Sequence, residues 1–296
     1  MDTAYITHTG KIIEAEELWL MPYSPTEYNY ACRGCYAPVI PCSYQSENKK
    51  RPYFRSKEKH NPDCDIDGER ELINKGKQEQ VSNHNSFPGR YPNSLQLKDE
   101  RTEVGLDSTD KQISPSKKKT GSIPSNPVGT LEYRGNYIAN TIRPICRFFI
   151  NFPHDRHLRL KISGIEEESY KNIFTYLANG EPERYKKIKL YYACIKWKSI
   201  TEHDDHLDAE LLPKGKVESY KVRINWKNWS TAKRNYIKNE LVAGTQEAID
   251  AHQSTKRGWL FFIGSQDTEN PHIFNIDDHR LICYIVDEIS YPKKKL

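Results

Sequence analysis

The sequence predicts an α+β protein: a small zinc-ribbon-like N-terminal module, then a linker, then a mostly antiparallel sheet with two helices. Three observations point there. Four of the seven cysteines, Cys32, Cys35, Cys42 and Cys64, crowd the first quarter of the chain. A polar stretch punctuated by Pro88, Pro92, Pro115, Pro124 and Pro127 follows, with no sustained period of 2 or 3.6. From Leu131 onward, aromatic and apolar runs alternate with helical patterns. The expected units are therefore 1–82, a flexible linker over 83–130, and an α+β domain over 131–296.

Each element has its own signal. Lys11-Ile12-Ile13-Glu14-Ala15 reads as a strand, and a charged helix is expected from Asp67 to Gln80. Ile145 to Phe152 reads as a strand forming a hairpin with Leu158 to Ile162, whose apolar and basic residues alternate. Ile165 to Asn179 reads as a helix, opened by three glutamates at the positive end of its dipole and ended by Gly180. Strands are expected over Ile188–Trp197 and Val217–Trp226, separated by a polar loop. Ser230 offers an N-cap for a helix to about His252, with Ile237, Leu241, Ala248 and Ile249 on its apolar side. Trp259–Ile263 and Leu281–Val286 close the set as interior strands.

Composition bounds the function. The chain of 296 residues is 36% hydrophobic with a mean hydropathy of -0.84, a modest core for that length. No apolar window is long enough to span a membrane, and the first residues lack the pattern of a secretory signal, so a cytoplasmic protein without a membrane partner is expected. The formal net charge of +5 is mild for a dedicated polycation, so any polyanion surface must arise from how the charges are distributed.

Cys32-Arg33-Gly34-Cys35 carries the strongest chemistry, because two thiolates three positions apart on a tight turn can face one tetrahedral ion, and Gly34 eases the turn. His60 and Cys64 supply the second pair, giving Cys-x2-Cys-x24-His-x3-Cys, with Cys42 as a possible substitute ligand. Four protein ligands leave no open position, so the expected zinc serves as a structural core. Cys146, Cys194 and Cys283, each alone in an apolar run, read as buried small hydrophobes.

Lys11-Ile12-Ile13-Glu14-Ala15, Tyr30-Ala31-Cys32-x2-Cys35, Pro38-Val39-Ile40, Arg51-Pro52-Tyr53-Phe54-Arg55, His60 and Cys64 together resemble, in order, the N-terminal zinc-binding region of competence protein CoiA-like bacterial proteins. The resemblance covers about residues 10 to 75 and implies a zinc module associated with bacterial DNA handling. Such proteins continue into a restriction-endonuclease-like domain. Here the one Glu-x-Lys tripeptide is Glu47-Asn48-Lys49, within the module and without a suitably placed Asp.

Two basic stretches could meet a phosphate backbone. Lys49, Lys50, Arg51 and Arg55 surround Tyr53 between the ligand pairs, offering charge and a stacking ring. Strict alternation from Tyr220 to Trp226 puts Tyr220, Val222, Ile224 and Trp226 on a core face and Lys221 and Arg223, with Lys227 beyond, on a basic face. Lys187, Lys189, Lys196 and Lys198 would extend it. Three His/Asp groups, His154-Asp155-Arg156-His157, His203-Asp204-Asp205-His206 with Asp208, and Asp277-Asp278-His279, could hold a hydrolytic metal but read as turns. Gly-rich phosphate loops and nucleophile elbows are missing. The expectation is a bacterial, non-catalytic zinc protein that recognises nucleic acid, DNA before RNA, within a DNA-processing or antiphage complex with other protein subunits. A metal-dependent nuclease and a protein-binding scaffold are the alternatives.

Overall fold

The computed structural model describes residues 1–21, 23–45, 47, 48, 50–61, 64–83, 87–97, 135–177, 187–212 and 219–292. They form an α+β structure, in agreement with the sequence. Strands β1 (Thr3–Ile6), β2 (Lys11–Glu14), β3 (Tyr30–Ala31), β4 (Pro38–Cys42) and β5 (Tyr53–Ser56) make an antiparallel sheet in the order β2-β1-β3-β4-β5. Alternation places Ala4, Ile6, Ile13, Val39 and Phe54 in one small core that also holds Cys32 and Cys64. β5 pairs with β4 on one side, and on its other side the Phe54 N–H and carbonyl exchange two hydrogen bonds of 2.8 Å with the Met1 backbone.

Next come α1 (Asp65–Gln78), β6 (Arg90–Leu95), β7 (Gly135–Ala139), α2 (Arg143–Asn151), β8 (Lys161–Ile162), the single turn α3 (Tyr170–Ile173) and β9 (Phe174–Tyr176). They are followed by β10 (Leu190–Glu202), β11 (His206–Leu211), β12 (Lys221–Asn225), α4 (Thr231–Asp250), β13 (Arg257–Ile263), β14 (Ser265–Gln266), β15 (Ile273–Ile276) and β16 (Ile282–Asp287). The large sheet runs β14-β15-β12-β11-β10-β13-β16, with β9 parallel to the start of β10. Both its faces are covered. Leu260 and Phe262 of β13 join a core with Ile237 and Leu241 of α4, while Phe261 and Ile263 join one with Phe149 of α2. Burial on both faces explains why this strand reads as a continuous apolar run.

Several expectations are corrected. The residues from Ile145 to Phe152 lie in and just after helix α2, with Pro144 in its first turn. Ile145, Cys146, Phe148, Phe149 and Ile150 are all buried because α1, β6 and β16 surround the helix, and so broad an apolar surface masks the helical period. Its proposed hairpin partner reduces to β8, and the helix expected over 165–179 reduces to α3 followed by β9, which pairs with β10 through Phe174 and Leu190. The polar segment expected as a linker contains β6, the centre of a parallel sheet β7-β6-β8, with Tyr91 and Leu95 buried. Positions 98–130 lie outside the described residues. The loop expected between 197 and 217 contains β11, whose Leu207, Ala209 and Leu211 are buried. The helix predicted from Ser230 is observed, with the Ser230 hydroxyl accepting the Lys233 N–H at 3.4 Å; Ile249, assigned to its apolar side, is exposed instead.

The first sheet is joined to the rest through buried charge. The Arg51 guanidinium reaches α4, where it pairs with Glu240 and with Glu247 at 2.8 Å, and it donates to the Tyr284 carbonyl at 2.9 Å. Arg143 pairs with the same Glu240 and with Glu16 at 3.2 Å, and Arg147 bridges Glu16 at 3.2 Å and Asp2 at 2.6 Å. Glu16, Arg143 and Glu240 are all buried. Charges this deep are tolerable because each meets an opposite charge, although Glu16 Oε2 and Arg143 Nε are buried without a hydrogen bond among the described residues. Burial works to raise the Glu16 pKa, but Arg143, Arg147 and Arg51 outweigh it and hold the carboxyl at about 2. Glu14, buried beside Glu16 and Glu17, is pushed up to about 8.

Candidate metal centre and basic surfaces

The cysteine knuckle forms between β3 and β4. The Tyr36 N–H donates to the Cys32 carbonyl at 2.9 Å and the Cys32 N–H to the Ala37 carbonyl at 2.8 Å, closing a tight turn. Its left-handed position is Tyr36 (φ 58°) rather than Gly34, and stacking on Tyr5 at 5.5 Å helps hold that residue. The contribution of Gly34 is an N–H directed at the Cys32 sulfur, 3.3 Å away. Strand β5 then leads to His60, and Cys64 is the N-cap of α1, where the positive end of the helix dipole favours a thiolate. Arg33 in the knuckle pairs with Glu69 on α1, tying the two ligand pairs together.

Cys32, Cys35, His60 and Cys64 converge as a group that could hold a metal ion, their ligand atoms all within 4.8 Å of one another. The Cys32 and Cys64 sulfurs are 3.7 Å apart, and the His60 Nδ1 lies 3.3 Å from Cys35 Sγ and 3.5 Å from Cys64 Sγ. A tetrahedral ion with bonds of about 2.3 Å to sulfur and about 2.0 Å to nitrogen sets these edges near 3.8 Å and 3.5 Å. Burial raises the Cys32 thiol, whereas N–H groups of Asn61 and Ala37, together with His60, overcome burial at Cys35 and bring it down to about 6. One thiolate is thus ready at neutral pH, and a metal ion bound here would displace the proton of Cys32. Cys42 stands apart, its sulfur facing the Ile40 carbonyl at 3.8 Å. Cys146 and Cys283 are buried as expected, and Cys194 is half-buried.

No family model, curated protein or solved structure matches this chain. Among the described residues, no helix is long and apolar enough to cross a membrane.

The residues proposed for nucleic-acid contact separate into two groups. Lys49 lies outside the described residues. Arg51 cannot offer its guanidinium to a phosphate, because Glu240 and Glu247 hold it against α4. Lys221 and Arg223 occupy the predicted face of β12 but converge on Asp208, Lys221 at 3.3 Å and Arg223 through two bonds of 2.9 and 3.0 Å. Lys187, Lys189 and Lys196 likewise pair with Glu166, Glu167 and Glu210, which neutralises the extended stripe; the Lys198 side chain is outside the description. Lys227 is exposed. Around β5, Lys50, Tyr53 and Arg55 face solvent with Lys57 and Lys59, while Phe54 between them is buried. Among the described residues no carboxylate pairs with these four lysine and arginine side chains.

Two of the three His/Asp groups have structural employment. Asp155 is buried and accepts the Val81 and Ser82 N–H groups at 3.1 and 2.9 Å, and Asp278 binds Arg280 beside the buried His279. His203, His206 and Asp208 do converge. Sequence reading missed Glu16, Arg143 and Glu240. Glu240 had a visible signal, since it interrupts the apolar stripe Ile237, Leu241, Gly244, Ala248 of α4.

Proposed function

We propose that this chain is a zinc-containing protein that recognises nucleic acid without cleaving it, presenting the outward side-chain face of strand β5 of its metal module to the polymer. The observation that carries the reading is the run of exposed basic and aromatic side chains along and after β5, whose cations have no carboxylate partner among the described residues. Tyr53 is 37% exposed and Arg55 projects from the same face, with Lys57 and Lys59 following on the segment that ends at ligand His60. Cations free of carboxylate partners can release counterions from a phosphate backbone, and an exposed ring can stack on a base. A Cys3His donor set favours zinc over harder cations, and four protein ligands make its role structural: the ion fixes the start of α1 and the end of the β5 segment. The ordered resemblance to CoiA-like N-terminal regions supports DNA over RNA and a place in a bacterial DNA-processing or antiphage complex.

Fluorescence anisotropy of the full chain with labelled double-stranded DNA, single-stranded DNA and RNA tests this. Binding at about 50 mM salt that weakens steeply toward about 200 mM is expected, with a shallower salt slope in Arg55→Glu/Lys57→Glu. In Lys221→Glu, on the paired face, the affinity should change little. Absence of binding to all three polymers at the lower salt would refute the proposal.

A further inference from the structure

The hairpin joining β10 and β11 brings together chemistry that the metal module and the exposed face of β5 do not use. The His203 N–H donates to the His206 carbonyl at 2.9 Å, so the two histidines flank the turn Asp204-Asp205. Their rings stack with centroids 4.2 Å apart. His206 Nδ1 lies 2.6 Å from the Asp205 carboxylate. That bond places the proton on Nδ1 and leaves the Nε2 lone pair available, the arrangement by which an outer carboxylate prepares a ligating histidine. Nε2 faces Asp208 Oδ1 at 3.8 Å.

Asp208 is 3% exposed and held rigidly. Arg223 takes one lone pair on each carboxylate oxygen, and Lys221 adds a contact to Oδ2. A carboxylate has about four acceptor positions, so Oδ1 keeps one for a ligand on the His206 side. Ligating atoms around one tetrahedral ion at about 2.1 Å are roughly 3.4 Å apart, and a shift of under about 1 Å closes the observed gap. The third ligand atom, from His203, lies within 4.8 Å of both others.

We propose that His203, His206 and Asp208 form a second metal site, for an exchangeable first-row divalent transition metal. Two imidazoles and one carboxylate suit Zn2+, Co2+, Ni2+ or Fe2+ and discriminate against Mg2+ and Ca2+. Three protein ligands leave coordination positions open, and the hollow formed by Glu202, His203, Asp204, Asp205 and His206 opens them to water. Lys221 and Arg223 repel the cation, so this site binds more weakly than the cysteine cluster. It stands independently of any polymer bound at β5.

The test is equilibrium dialysis of the full chain, its cysteine cluster already loaded with zinc, against Co2+ with and without excess Mg2+. Wild type should take up one additional Co2+ per chain, insensitive to Mg2+ and lacking the intense thiolate-to-cobalt absorption. His203→Ala/His206→Ala should lose that uptake while keeping its cluster zinc and its melting temperature, since the substituted side chains sit on the hairpin turn. No additional Co2+ in wild type, or equal uptake in the folded variant, would overturn the assignment.

Discussion

Glu14 shows how one side chain makes this protein sensitive to pH. Burial, then Glu16 and Glu17, push its carboxyl up to about 8, and the Thr141 hydroxyl donates to it at 3.2 Å. The folded chain therefore retains a proton that the unfolded chain releases above its ordinary carboxyl range. The corresponding stability is present in full below about pH 4.5 and is lost as pH rises through about 8. Glu14→Gln mimics the protonated form at every pH. Thermal melts should show it stabilising the chain by at least about 1 kcal/mol more at about pH 8 than at about pH 5. Equal effects at both values would show that Glu14 is ionised in the fold. Glu16, two residues on and beyond β2, does the opposite: Arg143 and Arg147 act on both carboxyls, but only at Glu16 do they, with Arg51, outweigh burial.

At the scale of elements, α4 meets the large sheet through a close approach at Gly244, where the Tyr284 ring fills the space that a side chain would need. Gly244→Ala forces that ring aside despite the better helix propensity of alanine. A loss of about 1–3 kcal/mol in denaturant unfolding is expected, whereas Val242→Ala, exposed on the same helix, should cost far less. Element legibility followed the same physics. α4 was readable because its N-cap and one-sided apolar stripe are local features. Helix α2 was not, because packing on several sides made its sequence look like an interior strand. β11 escaped because His206, Asp208 and Glu210 read as a solvated loop, although Asp208 lies buried against Arg223. The cysteine cluster was legible for the reason α4 was: knuckle spacing and a His-x3-Cys pair are short-range patterns.

For the whole molecule, the finding whose pairing has no sequence signature is the seam between the first sheet and the large one. Arg51, 189 residues from Glu240 along the chain, was expected on a phosphate-binding surface; only tertiary structure reveals its carboxylate partners. Removing one member of a buried charge pair leaves the other uncompensated. Arg51→Ala should therefore cost about 3 kcal/mol or more in unfolding, partly relieved by Arg143 on the same Glu240. Nucleic-acid affinity measured on the folded variant should remain close to wild type, which separates a joint in the fold from a contact with ligand. Arg51 also lies two residues before β5, whose segment continues through His60 and Cys64 to α1, so the cysteine cluster and the seam anchor the two ends of one stretch of chain.

The first module is proposed to close around a zinc ion held by Cys32, Cys35, His60 and Cys64. Elemental analysis of the full chain, purified without chelator and desalted to remove weakly held metal, measures it directly. One zinc per chain in wild type, and none retained by Cys32→Ser/Cys35→Ser, is the result expected. Wild-type protein without zinc, or a variant that retains it in full, would contradict the assignment.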